Sequence, residues 1–234
     1  MIFRTRIARA SILAFALSLS LLAITALAGP PLICHAFDIG DAKSIRFASH
    51  DWNLSGSENY DTSKLASDTV EVLDSSNVTL VHMETLRRAT LYARKDPLAA
   101  KKLIALLFSR AEAAKGSKEP NVLAVFDAGY LAESYKQWLG AENNPAAKYD
   151  GYALVELALH RRGNDPQMEF AAALIAVGKS DVDAHEHAQK AISGAKNDPL
   201  LARNLSAKFL GAQSDTLSAM ITRTKVMAKA GQEQ

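Results

Sequence analysis

From residue 62 onward the apolar positions fall three and four residues apart, the spacing of a helix face rather than of a strand. The pattern predicts a weak helix over 63–73 and a second helix from after Asn77, taken as its N-cap, to Lys95. Leu80, Met83, Leu86, Thr90 and Ala93 form the apolar stripe of that second helix. Pro97 disfavours helix in the residue before it and suits the first turn of a new one. Leu103, Ile104, Leu106, Leu107 and Phe108 then follow so densely that this third helix is expected to be buried. Further helices are predicted over 122–139, 148–162, 167–177, 182–193 and 200–210, and a last one after Ser214 that frays near Gly231. Gly140, Gly163, Gly178 and Gly211 stand where these helices should stop, as glycines commonly do. No alternating pattern of strand type interrupts them, so the fold class expected is all-α.

Residues 29–61 read differently. Pro30 and Pro31 favour extended chain. Phe37 and Ile39 alternate with His35, Asp38 and Asp41, and Gly40 marks a turn. The expectation is an extended arm lying across the helical body, with Phe37 and Ile39 as anchors. The segment 49–61 is polar and turn-rich, with Trp52, Tyr60 and Leu54 as its anchors.

Three turns carry the same dipeptide, Asp96-Pro97, Asp165-Pro166 and Asp198-Pro199, at intervals of 69 and 33 residues. Seven residues before each aspartate stands an alanine: Ala89, Ala158, Ala191. A small residue there lets neighbouring helices approach closely. A period near 34 residues with two helices per unit is the mark of stacked helical hairpins. In the stretch AHEHAQKAISGAKNDP, Ala184, Ala188, Ala191 and Pro199 make the chain resemble the tetratricopeptide family. The segment between Gly116 and Asn144 departs from that pattern. The resemblance implies antiparallel helical hairpins stacked as a short α-solenoid or bundle over 62–234. It also implies binding of a protein or peptide on a concave face, and no reaction.

Composition changes the picture at the N-terminus. Arg4, Arg6 and Arg9 precede an apolar run from Ile12 to Leu27, and Ala26-Leu27-Ala28 offers a small-x-small site. This three-part layout is that of a secretory signal over 1–28. Removing its three arginines turns the formal charge of +2 into −1, so the net basicity is a targeting feature and not a nucleic-acid footprint. No later segment is long and apolar enough to cross a membrane. The chain is expected to be exported, periplasmic or extracellular, with membrane contact only if the signal stays as an anchor.

Candidate chemistry is sparse. Cys34 is the one cysteine, so no internal disulfide can form. A neighbouring imidazolium lowers a thiol pKa, which makes Cys34 and His35 a candidate reactive thiol; two ligands are too few for a metal site. Arg87 and Arg88, with Glu84 four residues before Arg88, read as a solvated helix face or, more sharply, as an anion or carboxylate clamp. The helix Phe126 to Trp138 carries Gly129 at its middle, which costs about 1 kcal/mol against alanine and signals close packing against a backbone or a ligand. Phe126, Asp127, Tyr130 and Trp138 on it read either as a core helix contacted on two sides or as an aromatic groove in which Asp127, Tyr130 and Arg88 meet a peptide. His185 and His187 point about 200° apart on a helix and lack the HExxH spacing. His160-Arg161-Arg162 suits a helix C-terminus. No phosphate loop or nucleophile elbow is present. The expected function is therefore a non-enzymatic protein- or peptide-binding or scaffolding module, with a Cys34/His35 thiol or metal protein as the alternative and no cofactor. The protein recovered from an exported fraction should have a mass beginning at Gly29; an intact, membrane-bound chain beginning at Met1 would show a retained anchor instead.

Overall fold

The computed structural model describes residues 30–48, 54–117, 121–140, 144–163, 165–177 and 179–209, with side chains as far as Ala207. The chain is all-α. A short 3-10 turn, Thr62–Lys64, leads into α1 (Leu65–Asp74), α2 (Thr79–Ala93), α3 (Pro97–Lys115), α4 (Val122–Trp138), α5 (Gly151–Arg162), α6 (Pro166–Ala176), α7 (Asp181–Gly194) and α8 (Pro199–Phe209). Residues 1–28 read as a signal, Trp52 and the helix expected after Ser214 lie outside the described residues.

Helices α2, α4 and α6 form the core. Each is buried nearly all round, and α2 packs on both α4 and α6. The other helices surround them. α3, expected to be buried, has an open face instead: Leu103, Ile104 and Leu107 point inward, while Leu106 is exposed and Phe108 only half-buried. Its apolar run is a wide stripe on a surface helix rather than the sign of a central one.

The repeated Asp-Pro turns explain how the helices are held at their ends. Asp96, Asp165 and Asp198 each use Oδ1 to accept from their own helix's first turn, at Leu98 and Ala99, Gln167 and Met168, and Leu201 respectively. This satisfies amide groups that have no partner inside the helix. Each then uses Oδ2 for a second helix. Thr62 Oγ1 donates to Asp96 at 2.7 Å, Thr79 Oγ1 to Asp165 at 3.3 Å, and Gln167 Nε2 to Asp198 at 2.6 Å. One carboxylate thus caps one helix and latches the start of another, so α2, α6 and α8 begin at the same end of the body. α2 does not start on Asn77 as expected. Val78 occupies the cap position without a side-chain bond, and the Leu80 N–H is met at 2.9 Å by Gln167 Oε1 from α6. A cap supplied by another helix cannot be read locally.

The period is only partly regular. The 33 residues between Asp165 and Asp198 hold the two helices α6 and α7, but the 69 between Asp96 and Asp165 hold three. The long α3 and α4 take up the length of a fourth. Ala89, Ala158 and Ala191 are fully buried.

Gly129 stands at a close helix crossing. A Cβ there would lie 2.6 Å from the Gly151 carbonyl oxygen and 2.8 Å from the Leu154 Cβ, and one on Gly151 would lie 2.4 Å from the Gly129 oxygen. α4 and α5 therefore touch backbone to backbone. Glu133, one turn on, accepts from the Gly151 N–H at 3.1 Å and pairs with Lys136 and Lys179. Burial alone would raise the Glu133 carboxyl, but the hydrogen bonds from Lys179 and Lys136 hold it below its ordinary value. Gly129→Ala should lower the stability of the fold by about 2–3 kcal/mol through overpacking, despite the roughly 1 kcal/mol of helix propensity it adds. Urea denaturation of the two proteins checks this.

Candidate functional site

The arm, residues 30–48, runs over the core helices much as the alternation of its residues suggests. Phe37 and Ile39 are buried as expected; Leu32, Ile33 and Ile45 are buried with them. The Phe37 ring meets Phe170 of α6 edge-on at 6.1 Å. Gly40 adopts a φ of +59°, and its N–H is accepted by Asp38 Oδ1 at 2.9 Å. This is a tight turn that suits glycine. Tyr60 stacks on Tyr92 at 4.2 Å, and Leu54 packs on the core.

The body holds the arm largely by its main chain. From α4, Gln137 Oε1 accepts from Leu32 N at 3.0 Å. From α2, Arg87 Nε donates to the Ile33 carbonyl at 2.7 Å, and Glu84 Oε2 accepts from Phe37 N at 2.9 Å. Asn204 of α8 exchanges two bonds with Asp38: its Oδ1 accepts from the amide at 2.9 Å and its Nδ2 donates to the carbonyl at 2.8 Å. After the Gly40 turn the chain returns along α2. Thr85 meets the Ser44 hydroxyl at 3.0 Å, Arg88 Nη1 donates to the Ile45 carbonyl at 2.8 Å, and the Tyr92 hydroxyl donates to the Arg46 carbonyl at 2.7 Å.

Glu84 is the centre of this site. It is 1 % exposed. Its Oε1 accepts from Arg88 Nε at 2.7 Å and from Arg87 Nη1 at 3.3 Å, while its Oε2 takes the arm amide. Arg87 is buried and Arg88 half-buried, and both guanidinium groups lie within 6 Å of the Phe47 ring centroid. The face expected to be solvated is therefore covered by the arm. These arginines grip one carboxylate and two main-chain carbonyls of the same chain.

The aromatic groove does not exist in the form expected. Phe126 and Tyr130 are wholly buried and stack on each other at 5.5 Å. Asp127, 2 % exposed, pairs with His82. These three belong to a core helix contacted on all sides, because α2, α3 and α5 all pack on α4. Trp138 is half-buried at the end of α4, with the Arg94 guanidinium 4.5 Å above its ring. Cys34 is half-buried in a turn closed on the Pro30 carbonyl, and His35 is exposed. Among the described residues no three histidine, cysteine or acidic side chains converge where a metal could sit. His187 points inward to Glu169 at 2.5 Å, Tyr152 at 3.0 Å and Glu156 at 3.3 Å, while His185 meets Gln189. The two histidines diverge, as their spacing requires.

The residues that reasoning from sequence did not find are Asn204, Arg203, Gln137, Thr85 and Tyr92. Asn204 carried a signal: an asparagine inside a helix favours bonding to backbone groups over helix formation. Glu84, Arg88 and Tyr92, at i, i+4 and i+8, also mark one ridge of α2. Arg203 pairs with Asp38 at 2.6 Å and its hydrogen bond holds that carboxyl below the ordinary range. Both side chains are about half exposed, so the pair fixes register more than it adds stability.

Fold and site together define an all-α protein whose body of helical hairpins grips an extended segment of its own chain. No protein-family model, curated protein or solved structure matches the chain.

The buried His82–Asp127 pair between α2 and α4 gives the fold a pH dependence. His82 Nδ1 meets Asp127 Oδ1 at 2.7 Å and Nε2 meets the Ser76 carbonyl at 2.9 Å. A carbonyl only accepts, so Nε2 carries a proton, and a further proton lies between ring and carboxylate. Burial disfavours charge on both partners, lowering His82 and raising Asp127. For His82 the Asp127 charge and the hydrogen bonds outweigh burial, leaving its pKa above the ordinary value despite the opposing charge of Arg162. A raised folded value means that the stability from this pair is complete below the unfolded value of about 6.5 and is lost as pH rises through the folded one. His82→Ala should cost about 3 kcal/mol at pH 6 by stranding Asp127, and the gap between the two proteins should narrow at alkaline pH. Urea midpoints at pH 6 and pH 9 measure it.

Proposed function

We propose that this chain is an exported helical-repeat protein of tetratricopeptide-like design that binds a protein or peptide partner and carries out no reaction of its own. One observation carries the reading. Asn204 exchanges two hydrogen bonds with the main chain of Asp38, beside Glu84 taking the amide of Phe37. Side chains presented by separate helices hold an extended chain by its peptide groups. Such contacts supply affinity without regard to sequence, while pockets for alternate side chains supply selectivity. Of the residues that read as chemistry-bearing, Arg87 and Arg88 are engaged in this grip, while Asp127 pairs with His82 in the core. The three-part layout of residues 1–28 supports export.

A reactive thiol at Cys34 is the second reading, and its half-burial beside an exposed His35 favours it. Rapid labelling of the native protein by a thiol reagent would raise that reading; labelling only after denaturation would remove it.

The first reading is tested by chemical cross-linking of the protein in its exported fraction, comparing the parent with Arg88→Ala and Asn204→Ala. A discrete adduct in the parent that changes by several-fold in both variants is the expected result. No adduct in any of the three, or the same adduct in all, would count against a partner at this face.

A further inference from the structure

His187 of α7 is buried and faces one partner more than a neutral imidazole can serve. Its Nδ1 lies 2.5 Å from Oε2 of Glu169 on α6, itself buried. Its Nε2 faces α5 twice, with the Tyr152 hydroxyl at 3.0 Å and Glu156 Oε1 at 3.3 Å. A carboxylate only accepts, so Nδ1 carries a proton toward Glu169. The neutral ring then has one lone pair left, at Nε2. The Tyr152 hydroxyl can donate to that lone pair, but Glu156 cannot. Its Oε1 is shut off from solvent and accepts no hydrogen bond, a costly state for a buried acceptor. A proton on Nε2 gives that oxygen a donor.

The same ring joins α7 to α5. α7 packs along α6, and Gly194 at its end sits against Pro166 with no room for a Cβ. Its backbone barely approaches α5, so the contacts of Tyr152 and Glu156 with His187 connect the two. The other charged groups come from α7 itself. Asp183 acts on Tyr152 and Glu186 on the ring, while Lys190 binds Glu186 at 2.7 Å and stands 4.0 Å from Glu169. Burial, and then the charge of Glu156, push the pKa of Tyr152 up to about 12. Its hydroxyl therefore keeps its proton across the range in which histidine changes charge, about pH 5 to 8. The Glu156 side chain is half-exposed and can turn to water.

We propose that His187 is a protonation-operated latch between α5 and α7. Charged, the ring ties Glu156 of α5 to Glu169 of α6. Neutral, it keeps Glu169, takes the Tyr152 hydroxyl at Nε2 and releases Glu156, so that α7 loosens from α5 while Gly194 stays seated on α6. The proton comes from solvent and returns to it. The His82–Asp127 pair lies between other helices, so this latch works locally, apart from the stability of the whole fold.

The test is amide exchange of the full chain at pH 5 and pH 8, each rate divided by that of the unfolded chain at the same pH. Opening of α7 around His187 should be at least threefold greater at pH 8, with α4 still protected. In Glu156→Gln the side-chain amide can donate to the neutral ring and accept from the charged one, so the difference should fall below twofold. In Tyr152→Phe the neutral ring loses its donor, and the difference should grow. Equal pH dependence in the parent and Glu156→Gln would overturn the latch, as would α7 opening only together with α4. Should Glu156→Gln fail to fold, the nitrogen resonances of the parent's imidazole decide. Nδ1 protonated at both pH values with Nε2 gaining its proton only at pH 5 supports the latch, and Nε2 protonated at pH 8 overturns it.

Discussion

A carboxylate taken out of water has to be met by donors, and Glu84 is met by three: the guanidinium groups of Arg87 and Arg88 and the amide of Phe37. Two come from its own helix and the third from a segment 47 residues away in sequence. An unpaired buried charge costs several kcal/mol, so α2 can carry glutamate and arginine on an inward face only because the arm lies over them. The arm in turn has main-chain groups that need partners once its apolar residues are buried. Each side of the contact answers the other's need for hydrogen bonds, and the arrangement closes around one charge.

The rest of the body presents that face at a fixed spacing. Asp96, Asp165 and Asp198 latch helix starts in pairs, which puts α2, α6 and α8 in register at one end. Gly129 and Gly151 bring α4 and α5 to backbone contact. With those positions set, Asn204 on α8 and Glu84 on α2 stand at neighbouring peptide groups of the same extended chain. The repeated dipeptide of the sequence is therefore less a sign of identical units than of one capping device used three times.

Much of this was legible before the structure. Helical periodicity placed nearly every helix of the body, Pro97 and Gly163 marked boundaries that hold, and Phe37 and Ile39 were the right anchors for the arm. The position of Gly129 announced a close crossing. What stayed hidden was non-local. The Asn77 start failed because Gln167 caps α2 from another helix. α3 was placed in the core because an apolar run shows how wide a stripe is, not what covers the opposite side. Phe126, Asp127 and Tyr130 have residue types common in binding grooves, yet the same types fill a core when helices pack on every side. Arg87 and Arg88 stand out by residue type, but only the path of the arm shows what they grip.

The arm depends on Glu84. Limited trypsin digestion of the parent and of Glu84→Gln tests it directly, because Lys43 and Arg46 are exposed cleavage points on the arm. The amide keeps the shape but not the charge that holds both guanidinium groups and the arm together. The variant should be cut after Lys43 or Arg46 at least tenfold faster while its helical circular dichroism is retained. Equal cleavage rates in two equally helical proteins would contradict it.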